Sequence, residues 1–179
     1  MGWDKIINKN LISNIMKTIT LTDKDFKDGV YCGKHNLTNI DGSLDIQVDG
    51  WCRFKSGIST KGDISAEGSI STKGDISAEG GISAEGSIYA EGDISTKGDI
   101  SAGGGIYARG YISANGGKLS AKYGITAGLK IYAKTTIESG MRIFAGVAPW
   151  DWVTDEHKEI KCGKLLKGEI AYGNLVETG

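Results

Sequence analysis

From about Leu37 to Gly146 one large aliphatic side chain recurs at every sixth residue, beginning Ile40, Ile46, Cys52, Ile58 and running unbroken to Ile112. One extra residue at Gly116-Gly117 shifts the frame, and Leu119, Ile125, Ile131, Ile137 and Ile143 complete eighteen hexads. A period this short excludes an array of helix pairs and predicts a β-solenoid. Within a hexad, the aliphatic residue and the one two positions later point the same way, because side chains alternate along a strand. The pairs Ile76 with Ala78, Ile82 with Ala84, Ile94 with Thr96 and Ile131 with Ala133 are therefore the interior. Glycine recurs where the chain must turn (Gly62, Gly68, Gly74, Gly80, Gly86, Gly92, Gly98), which predicts a left-handed backbone at each corner. Three strands and three corners make a triangular coil of 18 residues, so the hexads form about six coils, a rod on the order of 29 Å long at the inter-strand spacing.

The predicted fold is thus an all-β, parallel solenoid over residues 37–146 with a cap on either side, residues 1–36 and 147–179. A solenoid end exposes unpaired backbone groups that would template edge pairing unless covered. Trp3, Ile7, Leu11 and Ile15 recur every fourth residue and predict an amphipathic capping helix over about residues 3–19. A lid on the first coil, a dimerisation helix and a membrane-surface helix all share that signature. The segment Thr22-Asp-Lys-Asp-Phe-Lys-Asp-Gly29 reads as a capped turn. Beyond the repeat, the single proline, Pro149, marks the departure from the hexads, and the runs Glu159 to Cys162 and Glu169 to Tyr172 predict a small sheet or hairpin, with Trp150 or Trp152 plugging the open core.

Sorting outward positions by every third hexad yields three faces. The face on Ile46, Ile64, Ile82 and Ile100 carries Asp45, Asp49, Asp63, Glu67, Glu85 and Asp99, with no base before Lys118 and Lys122. The face on Cys52, Ile70, Ile88 and Ile106 carries Trp51, Arg53, Lys55, Lys73, Tyr89, Tyr107 and Arg109, relieved by Glu91 and ending in Arg142 and Phe144. The third alternates Lys61, Glu79 and Lys97 above serines Ser59, Ser77, Ser95 and Ser113, a pattern that favours correct stacking. These are called below the acidic, aromatic and serine faces. Acidic neighbours in successive coils repel one another weakly, so the acidic face is either a solubilising surface or a docking site for a basic partner.

Candidate chemistry is sparse. The two histidines, His35 and His157, fall outside the hexads, and the carboxylates have no nucleophile or base beside them. Glycines on a six-residue period are corners, not a phosphate loop. No metal or cofactor is expected. Cys32, Cys52 and Cys162 are odd in number and lack metal-ligand spacing, and Cys52 takes a core position, which points to a reduced, cytoplasmic protein. A net charge of -1 gives no bias toward nucleic acid, and the N-terminal apolar residues are too interrupted for a signal peptide or membrane span.

The hexads resemble those of left-handed β-helix acyltransferases, trimers that use a histidine against an acyl carrier, although here the small residue follows the aliphatic one and the coils hold no histidine; either hand of the coil fits that spacing. Segments such as Glu67-Gly-Ser-Ile look like bactofilins, cytoskeletal β-helix polymers that join end to end. Ile131-Tyr-Ala and Ile143-Phe-Ala-Gly146 are similar to the small Gly-Ile-Ala repeat proteins of Firmicutes and their phages, a likeness that implies inhibition of a host factor, CRISPR nucleases included. The expectation is a non-enzymatic binding protein in the bacterial cytoplasm whose flat faces dock a protein, such as a nucleic-acid-binding enzyme with a basic groove. The alternative is a self-assembling scaffold in which acidic and aromatic faces of different copies meet. Direct binding of nucleic acid or membrane is not expected.

Overall fold

The computed structural model describes residues 17–179. Its strands form one continuous sheet wound into a parallel β-solenoid of about seven turns, and the only helical segments among the described residues are two short 3-10 turns, Asp23–Asp25 and Asp155–Lys158. Most strands are three residues long with the middle one outward, as in Ile76–Ala78 and Ile100–Ala102. Successive coils stack in register eighteen residues apart, Ile64 on Ile82 on Ile100, and the inserted glycine shifts this by one so that Ile100 meets Leu119. The aliphatic columns are sealed from solvent, with Ile64, Ile88, Ile106 and Ile125 all at 0 % exposure. Where threonine replaces the small alanine, its hydroxyl stays inside and donates to a corner carbonyl, Thr60 to Gly62 at 2.9 Å and Thr72 to Gly74 at 2.7 Å, which offsets the cost of burying it.

The corners differ from the expectation in an instructive way. None of Gly62, Gly68, Gly74, Gly80, Gly86, Gly92 or Gly98 has a positive φ, so the left-handed conformation is not why glycine is there. The reason is crowding from the adjacent coil. At seven of the corners the Asp or Ser just before the interior aliphatic residue turns its side chain along the rod axis and accepts the backbone N–H of its counterpart one coil on. Asp63 Oδ1 takes Gly81 N–H (2.7 Å), Asp75 Oδ1 takes Asp93 N–H (2.9 Å), Asp93 Oδ1 takes Tyr111 N–H (2.7 Å) and Asp99 Oδ1 takes Lys118 N–H (2.8 Å). Serine does the same at Ser43, Ser69 and Ser87. A Cβ built on Gly80, Gly92, Gly110 or Gly117 would overlap the Asp carboxylate, and one on Gly62, Gly86 or Gly104 the Ser hydroxyl. The sheet ladder leaves these corner N–H groups over; the Asp or Ser column satisfies them and requires a neighbour without a side chain.

Two ends depart from prediction. The helix expected over residues 3–19 lies mostly outside the described residues, and its last part, from Lys17, is strand: Lys17–Thr22 pairs in parallel with Gly42–Gln47. The turn that follows is capped as expected, Thr22 N–H donating to Asp25 Oδ2 at 3.0 Å, and the antiparallel hairpin Phe26–Lys27/Val30–Tyr31 closes that end of the aromatic face. There Phe26, Tyr31 and Phe54 form a cluster with ring centroids 5.5–5.7 Å apart. The first coil is also slipped by two residues, Leu44 rather than Ile46 lying on Ile64, so the hexad frame holds strictly only from Cys52 onward.

At the other end there is no hairpin. Glu159–Tyr172 is one long, bulged strand running parallel to Ile131–Ala145, and Asn174–Glu177 adds in parallel to its start. The predicted cap is a further, irregular turn of the solenoid. Trp150 and Trp152 do not plug the core: they stack on each other at 5.1 Å, 39 % and 55 % exposed, in an excursion that leaves the rod after Ala145 and returns at Glu159.

Candidate protein-binding faces

The register assembles the aromatic face much as the spacing predicts. Its outward column runs Arg53, Ser71, Tyr89, Tyr107, Thr126, Phe144, each paired with the next one coil on. Trp51 begins the same strand as Arg53 and is half exposed. The Tyr107 ring folds back over Gly105, where a Cβ would approach its hydroxyl to 2.5 Å. The basic residues are not equivalent. Arg109 pairs with Glu91 at 3.6 Å and Arg142 with Glu169 at 3.4 Å, whereas Arg53, Lys55 and Lys73 have no acidic partner within 4 Å among the described residues.

The excursion after Ala145 turns this face into a site. Val147, Ala148, Pro149 and Trp150 overhang Tyr89, Tyr107, Arg109 and Thr126, and the space between is an open groove of about 520 Å³ with mostly apolar walls. The excursion is held by Ala148 N–H to Gly128 O (3.0 Å) and Gly146 N–H to Leu129 O (2.9 Å). At its far end His157 is engaged locally: its Nδ1 lies 3.1 Å from Thr154 N, and its ring meets Trp152 edge-on at 5.2 Å. Reading the hexads alone misses Trp150 and Pro149 as parts of this face. The available signal is the length of chain between Ile143 and Ile160, successive interior positions separated by far more than a hexad, which obliges the intervening residues to loop out beside Tyr107.

The acidic residues divide into two kinds. Asp63 and Asp99 are corner caps whose carboxylates point along the rod axis. Asp45 is tied down at both oxygens, by Ser65 Oγ–H (2.7 Å) and Gln47 Nε2–H (2.8 Å). Glu67 and Glu85 follow Ala66 and Ala84 on adjacent strands, and like Asp45 and Asp49 they have no basic partner within 4 Å among the described residues. Asp49 sits in the connection that contains the two-residue slip, off the regular column. On the serine face, Lys97 bridges Glu79 and Lys61 bridges Asp41, both at 2.9 Å, so alternation does neutralise that corner.

The capping role makes a specific expectation. Asp63→Ala leaves the Gly81 N–H without its charged acceptor and lowers stability by about 1.5–3 kcal/mol, while Asp63→Ser keeps a hydroxyl where Ser69 and Ser87 use one and loses about 1 kcal/mol less. Urea midpoints of the two variants measure this, and equal midpoints would show that the bond contributes nothing.

The cysteines are all free. Cys32 is exposed; Cys52 and Cys162 are buried, and burial pushes the Cys52 thiol up to about 11, which keeps it protonated at neutral pH. The described residues contain no cluster of His, Cys, Asp or Glu arranged to hold a metal, and no helix among them is long and apolar enough to cross a membrane. Comparison with protein-family models, with curated proteins and with solved structures finds no match to this chain.

Proposed function

We propose that this chain is a non-enzymatic binding protein that docks a protein partner on its flat faces and acts by covering the surface it occupies. The observation that carries the reading is the groove in which Trp150 and Pro149 overhang Tyr89, Tyr107 and Arg109. Tryptophan, tyrosine and arginine are the residues enriched among the few that carry most of the binding energy of protein interfaces. Tyr89 and Tyr107 stand on the paired strand ladder, so little ordering of them is required on binding. The acidic face gives the reading its more specific form. The uncommitted Glu67 and Glu85, with Asp45 and Asp49, offer negative charge to a lysine- and arginine-rich groove, and a rod lying in such a groove excludes nucleic acid without any chemistry. That is the kind of inhibitor implied by the likeness to the Gly-Ile-Ala repeat proteins of phages, acting in the cytoplasm of a bacterial host on a nucleic-acid-binding enzyme.

The test uses a photo-crosslinker placed at Thr126 on the groove floor to capture a host protein, followed by titration of that purified protein. Tyr89→Ser, Tyr107→Ser and Trp150→Ser together are expected to weaken binding by more than about a hundredfold with melting unchanged, since three anchors at about 1 kcal/mol or more each are removed. Asp45→Ser with Glu67→Ser and Glu85→Ser is expected to slow association and flatten its salt dependence. If the acidic triple abolishes binding and the aromatic triple does not, the anchor is the acidic face. If neither changes it, the flat-face reading is wrong.

A further inference from the structure

The corner that carries the inserted residue differs from every other corner between Ile58 and Ile143. Asn115, Gly116, Gly117 and Lys118 join the strands Ile112–Ala114 and Leu119–Ala121, whereas the corners stacked on either side, Lys97-Gly98-Asp99 and Lys134-Thr135-Thr136, have three residues each. Backbone bonds tie the regular corners together, Gly80 N–H to Gly62 O at 3.1 Å and Gly98 N–H to Gly80 O at 3.0 Å. That ladder stops at the long corner, where neither Gly116 N–H nor Gly117 N–H finds an acceptor among the described residues. Asn115 and Gly116 are both exposed, and Ser113 Oγ–H donates to Asn115 Oδ1 at 2.8 Å. Asparagine is among the thermolabile side chains, and Asn115 is the only one in the sequence that precedes glycine. Its place along the rod is also distinctive. The corner residues that follow Ile40, Thr60, Ala78, Thr96, Ala114 and Ala133 are Asp41, Lys61, Glu79, Lys97, Asn115 and Lys134, so charge alternates except at Asn115, where the order calls for an acid. Neighbours in this column reach each other across one coil, as Lys61 reaches Asp41 and Lys97 reaches Glu79, both at 2.9 Å. Lys134 has no acidic partner within 4 Å among the described residues.

We propose that Asn115 deamidates itself in the folded protein and that the new carboxylate fills the missing acidic place in this column. The reaction consumes only water. Gly116 N attacks Asn115 Cγ and gives up its proton, the side-chain amide nitrogen leaves as ammonia, and a succinimide ring closes between the two residues. Water then opens the ring at either carbonyl and leaves aspartate or isoaspartate at position 115. The corner favours each part of this. Gly116 has no side chain to obstruct ring closure, its N–H is not held by an acceptor, and the extra residue gives the backbone slack that the three-residue corners lack. Ser113 Oγ–H already lies on the oxygen where negative charge gathers as the nitrogen adds. Lys97 and Lys134, one coil away on either side, favour that charge and the carboxylate that follows it. The product links Glu79, Lys97, residue 115 and Lys134 into one run of alternating charge, at the corner opposite the aromatic face.

The inference does not depend on the proposed function. The test incubates the full chain in mildly alkaline water enriched in oxygen-18, digests it with trypsin and maps the peptides by mass. The peptide of residues 110–118 is expected to exchange its amide for a labelled carboxyl while the other asparagine peptides stay unchanged, and to do so in the folded chain at no less than about a tenth of its rate in urea. Ser113→Ala is expected to slow conversion of the folded chain severalfold and to leave the rate in urea as it was. The consequence for the column is measured separately. Asn115→Asp should raise the melting temperature by up to about 3 °C at low salt, a gain lost at high salt and lost again on adding Lys134→Ala. A folded chain that stays unlabelled at 115 while the unfolded chain converts, a folded rate indifferent to Ser113→Ala, or an Asn115→Asp protein no more stable than the parent at low salt would each overturn the proposal.

Discussion

Ile82→Asp is expected to unfold the rod. Ile82 is 1 % exposed and stacks between Ile64 and Ile100 in the middle of the solenoid, and nothing in the column can pair with a carboxylate. An unpartnered buried charge costs several kcal/mol even after relaxation. In a repeat protein the loss does not stay local, because each coil is stable only on its neighbours and a broken central coil uncouples both halves. The melting temperature should fall by more than about 10 °C, followed by circular dichroism, with partial recovery in acid as the carboxyl protonates. Ser83→Asp, one residue on but outward, is the control and should leave melting almost unchanged. An unshifted Ile82→Asp would reverse the assignment of inside and outside for every hexad.

The second large effect is at a corner. Gly110→Ala puts a methyl group into the Asp93 carboxylate, which is held in place by its bond to Tyr111 N–H. Crowding of this kind costs about 1–3 kcal/mol. Asp93→Gly loses that charge-assisted bond and costs about 1.5–3 kcal/mol. The double variant is where the argument is decided. With no side chain at 93, the new methyl's nearest remaining neighbour in the coil below is backbone at 3.4 Å or more, ordinary contact, so the two losses should fall short of additivity by about 1 kcal/mol or more. Denaturant unfolding of the four proteins in the cycle measures it. Strict additivity would mean that glycine is there for backbone conformation after all.

That distinction also marks how far the sequence is legible. A period of six fixes strand, corner and interior with little else, because isoleucine at one position and alanine or threonine two later can only be the two inward places of a three-residue strand. The frame shift at Gly116-Gly117 is readable for the same reason, and Ile100 does meet Leu119. The motive for glycine is not readable from its period, since a left-handed turn and a crowded corner leave the same letter. The clue lies in the residue beside it: Asp or Ser precedes most of the interior isoleucines from Ile64 to Ile100. The slip at Leu44 is hidden because both Leu44 and Ile46 are apolar and either fits the column. The last turn is hidden because its bulges, between Ile137 and Glu138 and between Ile143 and Phe144, break the hexad count even as the parallel pairing continues. The groove escapes because it is made between a repeat and an insertion, and periodicity describes only the first.

The stacking of like on like has a consequence for how such a molecule changes length. Ile64, Ile82 and Ile100 occupy equivalent places, as do Ser65, Ser83 and Ser101. Removing the stretch from Ile82 to Asp99 would join Gly81 to Ile100, seat Ile100 on Ile64 and set Ala102 on Ala66, with every surviving column intact. One coil is therefore a unit that tandem duplication or loss in the gene can add or subtract with the interior columns preserved, in steps of about 4.8 Å along the axis. Each step changes how far the groove under Trp150 lies from the hairpin-capped end, so that distance is a ruler that heredity can reset one notch at a time.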